Sequence, residues 1–258
     1  MVDQQEHALA VRQKRPGRRW PAGANVSGAS NYLVHLDGQN ADSIQASLRN
    51  AILSGAIPAG AWLRQVDLAA SLGVSRTPVR EALRSLERES LVEIIPNHGA
   101  RVAPLSVEDF EEIYALRTGM ESLAARIAAS NASESEITEL EERLRTLEEV
   151  KEHAAVPEYL KSEWQLRLQC YTTTRRERML ATILHLRGLA ERYLRLAYRE
   201  AADVDTSYEF HRRLIDAIRV RDGAAAAAIN RQALEWTLTQ VRPLIQEQFG
   251  NGGVGLGR

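Results

Sequence analysis

Arginines at 76, 80 and 84 recur at helical spacing in the stretch VSRTPVREALRSL, residues 74 to 86. A guanidinium is a planar fork of fixed positive charge, so it can grip guanine O6 and N7 together or neutralise a phosphate. Ser75 and Thr77 flank the first of them. Other residues able to do chemistry are sparse. Cys170 is the one cysteine, which leaves no internal disulfide and no multi-cysteine zinc site. No nucleophile–base pair, metal signature or phosphate loop has catalytic spacing, and His211 with Asp216 makes no triad. The terminal GNGGVGLGR lacks the strand and helix that a phosphate loop requires. A net charge of -1 gives no global sign of a polyanion partner, so any DNA contact must be local.

The arginines need a helix to aim them. Ser75 is a suitable N-cap, which places Pro78 in the first turn, where its missing N–H costs no intrahelical bond. Val79, Ala82, Leu83 and Leu86 then form one apolar stripe, with Arg76, Thr77, Arg80 and Arg84 largely opposite. Upstream, Ile44, Leu48 and Ile52 mark a short helix stopped at Gly55; Leu68, Ala69 and Leu72 mark a second, ended by Gly73. Downstream, LVEIIPNHGARVA (91–103) reads as a hairpin turning at Pro96, Asn97, His98 and Gly99, closed by Pro104. Three helices and a hairpin in this order predict a winged helix-turn-helix over 41–105, whose third helix enters a major groove while the Asn97-His98-Gly99 tip approaches the backbone or minor groove.

Beyond Pro104 the pattern is helical throughout. Ser106 caps a helix with Glu108 and Asp109 in its first turn and a stripe of Ile113, Leu116, Met120, Leu123 and Ile127. Ser133 and Glu136 have capping-box spacing ahead of Ile137, Leu140, Leu144 and Leu147. Further helices are expected over about 157–173, 177–200, 205–221 and 223–248, giving an all-α bundle of about six helices at 106–248. The fold class is therefore mainly α. Residues 1–40 show no apolar periodicity and carry Arg12, Lys14, Arg15, Arg18 and Arg19, which suits either a solvated disordered tail or an arm on DNA phosphates. Residues 249–258 read as a flexible tail. No apolar run reaches membrane-spanning length and the first twenty residues lack a signal-peptide core, so a cytoplasmic location is expected.

Residues 43 to 106 resemble the winged helix-turn-helix of the GntR family of bacterial transcription regulators, on AILSGAIPAG, LAASLGVSRTPVREALRSLERESLV and NHGARVAPLS. EIYALRTGMESLAARIAA (112–129) resembles the first helix of the FCD ligand-binding domain of the FadR-like subgroup. The two resemblances span about 43 to 247. They imply DNA contacts by Ser75, Arg76, Thr77, Arg80, His98 and Gly99. Where a relative carries a base-contacting arginine at the start of the second helix, this chain has Val66.

Many FCD domains hold a divalent metal with an aspartate and three histidines, completed by a small carboxylate effector. Laid on this sequence, that pattern falls on Glu163, Arg167, His211 and Ala233, and neither His153 nor His185 restores the spacing. Two ligands are too few, and Arg167 sets a fixed positive charge where a cation should sit, so no metal cofactor is expected. A guanidinium can instead bind a carboxylate or phosphate directly. Arg167, His211 and Arg192 are then expected to converge on an anionic effector, with Arg117 a further pocket candidate. Glu163 either shares that site or forms a plain helix pair with Arg167.

The expected function is a transcription regulator, a repressor by analogy with the family, acting as a homodimer on a palindromic operator under control of an organic acid. Two alternatives stay open at this point: a DNA-binding protein whose helical domain only dimerises, and an all-α enzyme with a DNA-tethering module.

Overall fold

The computed structural model describes residues 40–96, 98–197 and 203–249. The basic cluster at 12–19, the wing residue Asn97 and the glycine-rich end lie outside the described residues.

Helices α1 (Ala41–Leu53), α2 (Gln65–Leu72) and α3 (Arg76–Arg88) form where the apolar spacing places them. Ile44, Leu48, Leu68, Val79, Leu83 and Leu86 close into one core, each removed from solvent; burial of this kind contributes about 1.5–3 kcal/mol per large side chain. Gly73 ends α2 at φ 64, the left-handed conformation that costs glycine nothing, and the Val74 N–H closes onto the Ala69 carbonyl at 3.1 Å. That turn sets the departure of α3. From α1, Arg49 Nε and Gln45 Nε2 donate to the Glu89 carboxylate at 2.6 and 2.5 Å, fixing the far end of α3.

The hairpin consists of β2 (Val92–Ile95) and β3 (Gly99–Val102), antiparallel with Val92 opposite Val102 and Ile95 opposite Gly99. A strand the sequence pattern did not suggest, β1 (Trp62–Leu63), pairs on the other edge of β3, with Trp62 opposite Arg101. Two residues are too short to show a period, so only the sheet reveals it.

The second domain is built from α4 (Val107–Asn131), α5 (Glu134–His153), α6 (Val156–Thr172), α7 (Glu177–Ala197), α8 (Val204–Arg219) and α9 (Gly223–Phe249). Ser106 accepts from the Asp109 N–H at 3.0 Å, and Ser133 with Glu136 forms the expected capping box.

Helix α4 departs from its expected stripe. Ile113 is in the core, but Leu116 and Leu123 are 54% and 47% exposed. The inward face is Tyr114, Arg117, Glu121, Ala124, Ala125 and Ala128. Small side chains let α9 lie close along α4, since interaxial distance follows the side chains at the contact. A Cβ on Gly223, where α9 begins, would stand only 2.9 Å from the Arg126 carbonyl. Large leucines on that face would hold the helices apart.

Helix α7 ties the two domains together. Leu189 packs against both the first core and the cluster around Phe110 and Tyr193, and Gly188 lies against Leu53 of α1. Arg192 donates to the Ala103 carbonyl in the linker after β3. The Tyr193 hydroxyl donates to the Asp109 carboxylate and accepts from the Ser106 N–H at 3.3 Å.

Candidate DNA-contacting and effector sites

Ser75 is the N-cap residue of α3, and Pro78 is the third residue of the helix. The Ser75 side chain makes no capping bond, in contrast to Ser106 and Ser133. Val79, Ala82, Leu83 and Leu86 are buried, which turns Arg76, Thr77, Arg80 and Arg84 outward, all exposed together with Ser75. Among the described residues none of the three arginines is ion-paired, and Glu87 turns aside to accept the Ile94 N–H at 3.2 Å. The helix thus presents three uncompensated guanidiniums from a rigid support. At the wing, His98 is exposed, its Nδ1 2.9 Å from the Pro96 carbonyl and its ring 6.4 Å from that of Trp62. Gly99 takes φ 104, a conformation that favours glycine. Val66 is half exposed at the start of α2, and Arg64, the exposed N-cap residue of that helix, is a guanidinium nearby in the chain.

The effector domain contains a buried charge cluster. Glu121 of α4 is wholly removed from solvent, and Arg117 Nε donates to its Oε1 at 2.7 Å. Arg167 Nη2 and the Tyr171 hydroxyl each donate to its Oε2 at 2.7 Å. Burial would push this carboxyl up, but Arg117 and Arg167 outweigh it and hold it at about 2. Arg167 reaches further, to Asn230 Oδ1 at 3.3 Å and Glu163 Oε1 at 3.5 Å. Glu163 in turn meets His211 Nε2 at 3.1 Å. Burial again opposes ionisation of Glu163, and the His211 hydrogen bond with the charges of His211, Arg167 and Arg187 brings it down to about 2.

A cavity of about 30 Å³ lies among α4, α6, α7, α8 and α9. Arg117, Glu163, Arg167 and Arg187 give it charge, Ser207 and Thr237 give it hydroxyls, and Leu160, Leu194 and Leu234 give it apolar walls. It has room for only a water or two, so a larger guest must widen it. Arg117 Nη1 and Asn230 Nδ2 are buried with no hydrogen-bond partner, in a class of groups that is nearly always satisfied.

Of the expected effector residues, Arg117, Glu163, Arg167 and His211 come together here. Arg192 does not: it is held at the domain junction by the Ala103 carbonyl and is not part of the cavity wall. Glu121, Tyr171, Arg187 and Asn230 join them, and no motif in the sequence singles these four out. The last helix reaches Arg167 through Asn230, one turn before Ala233.

The residues present do not fit the divalent metal that the resemblance implies. Glu163 and His211 are two donors, the third position is a guanidinium already bonded to Glu121 and Tyr171, and no three His, Cys, Asp or Glu cluster among the described residues. A cation placed there would face Arg167 at contact distance.

Comparison with known proteins agrees with this architecture. Residues 40–102 match the model of the gntR family of bacterial regulatory proteins, and residues 112–235 match the FCD domain. The chain belongs to the GntR family, with an FCD domain behind its DNA-binding domain. An uncharacterized HTH-type transcriptional regulator of Bacillus subtilis, YdhC, is 37% identical over 39% of this chain and 45% of its own length. The first curated relatives are matched over only about a third to a half of their length. The transcriptional repressor GlaR of Escherichia coli is 28% identical over 79% of this chain and 95% of its own. The solved structure of McbR/YncC from Escherichia coli is 23% identical, covers 80% of this chain and 97% of its own, and superposes with a TM-score of 0.64, which establishes the fold. These relatives are regulators rather than enzymes.

Proposed function

We propose that this chain is a sequence-specific DNA-binding repressor that works in the cytoplasm as a homodimer on a palindromic operator. Its DNA affinity is set by a small organic acid taken up in the FCD domain without a metal. The observation that carries the reading is Arg117: a buried, permanently charged side chain whose Nε is held by Glu121 while Nη1 faces the interior unpaired. A carboxylate supplies the partner that this nitrogen lacks, and burial makes such a bond strong. Arg187, paired with Glu191 at 2.5 Å, lines the same cavity as a second cation. Arg167, bonded to Glu121, Tyr171, Glu163 and Asn230, lines the cavity and holds the cluster in shape, with His211 behind Glu163.

Helix α7 supports a route to the DNA. Arg187 lines the cavity, while Leu189, Arg192 and Tyr193 on the same helix grip the first domain or the linker. An acid that widens the cavity shifts α7 and, through it, the spacing of the two recognition helices. In the DNA-binding domain, Ser75, Arg76, Thr77, Arg80, His98 and Gly99 form the contact surface, with α3 in the major groove and the wing alongside.

Selection of bound sequences from a random duplex pool tests this, repeated with a panel of small mono- and dicarboxylates. An inverted repeat should emerge, and at least one acid should reduce its recovery. No enriched sequence would reject the DNA-reading assignment. Enrichment that no acid alters would favour a helical domain that only dimerises.

A further inference from the structure

The leucines that α4 leaves outside lie on a face that is nearly symmetric about Gly119. Leu116 and Leu123 are 54% and 47% exposed, two turns apart, with the exposed Gly119 between them. A Cβ built on Gly119 meets nothing within 4 Å. Glu112 lies seven residues before Gly119 and Arg126 seven after, both exposed. Neither is ion-paired among the described residues, although the bundle pairs many of its other surface charges. At helical pitch all five positions fall within an arc of about 80°.

A surface that meets a copy of itself across a two-fold axis sets each residue against the one equally far on the other side of the centre. With the axis beside Gly119 and the helices antiparallel, Leu116, three residues before the glycine, comes within one residue of register with Leu123 of the second copy, four after it, and Glu112 faces Arg126 of the second copy. The same holds in reverse. The glycine at the crossing lets the two backbones approach closely. One acid and one base at equal distances from the centre complement an identical face. DNA would require an excess of positive charge there.

We infer that the α4 faces of two chains pack antiparallel about a two-fold axis at Gly119, forming the principal dimer contact of the effector domains. The inference rests on the homodimer proposed above and gives it a surface. It also places the dimer axis on the helix that carries Arg117 and Glu121, so the subunit contact and the effector cluster occupy opposite faces of one rod.

Full-length Gly119→Cys under mild oxidation tests the axis directly. The only native cysteine, Cys170, is buried and does not compete. Two copies of residue 119 meet at the axis, so most of the protein should run as a disulfide-linked dimer. In Leu116→Cys the paired sites stand about 9 Å apart along the helix, so it should link poorly by itself. Mixed with Leu123→Cys, it should link readily. Sedimentation provides a second readout. Glu112→Arg and Arg126→Glu should each weaken the dimer about tenfold or more, and the combined swap should restore it, as a double-mutant cycle requires. A wild-type dimer that neither links at Gly119 nor responds to the charge swap overturns this surface while leaving the homodimer intact. A wild-type monomer at micromolar concentration overturns both.

Discussion

Arg167 Nη2 and Glu121 Oε2 meet at 2.7 Å with their side chains 4% and 0% exposed. Arg117 holds the other oxygen of the same carboxylate. One buried anion therefore anchors two buried cations from different helices. Breaking such a group strands charge in the interior, which costs about 3–5 kcal/mol. Glu121→Gln should lower the urea unfolding free energy by that order, and Glu121→Ala by at least as much. A loss no larger than that of an exposed control such as Glu142→Gln would show that the cluster contributes nothing to stability.

Acid should weaken the fold through the same carboxylates. Glu121 and Glu163 ionise at about 2 in the folded chain, against 4.5 ordinarily. On acidification the unfolded chain takes up these protons first. Their contribution is complete above about 4.5, falls as pH drops, and is gone below about 2. Unfolding midpoints measured down this range should fall steeply, and less steeply for Glu163→Gln. Equal slopes for both proteins would remove Glu163 from the account.

The recognition helix makes a separable prediction. Arg76→Ala and Arg80→Ala should each cost about 1–3 kcal/mol of operator affinity if the side chain reads a base, or flatten the salt dependence if it holds phosphate. Both variants should keep the wild-type melting temperature, because their side chains point outward. Unchanged operator affinity in the double variant would remove α3 as the reading helix.

Tyr193→Phe tests the clasp. The ring, packed on Phe110 at 5.0 Å between centroids, remains, while the bonds to Asp109 and Ser106 are lost. Stability should drop by about 1–3 kcal/mol. The variant should still bind its acid with wild-type affinity, yet that acid should alter operator binding less. A fully retained response would place the signal elsewhere than this bond.

Much of this was legible in the sequence where one local rule settled the matter. Gly73 ends α2, Ser133 and Glu136 form their box, and the α3 stripe buries as its spacing demands. Helix α4 misled because large side chains do not identify the inner face when a neighbour lies close: the alanines go inside and Leu116 and Leu123 stay out. Arg117 with Glu121, and Arg167 with Tyr171, are each one turn apart and visible as pairs, but such pairs usually sit in solvent, and nothing local says that two of them share a buried centre. Chemistry alone suggests Arg192 for the effector site; its helix position aims it at the linker, while Arg187, more than one turn earlier, reaches the cavity.

The central claim is that an acid controls DNA binding through arginines rather than a metal. Its most direct test is operator affinity by fluorescence anisotropy, with and without the acid that most raises the melting temperature, in the presence and absence of chelator, for wild type and Arg117→Gln. The account predicts that the acid weakens wild-type binding by the same factor with or without chelator, and that Arg117→Gln binds the operator normally but ignores the acid. A response abolished by chelator, together with one divalent metal per chain by elemental analysis, would contradict it.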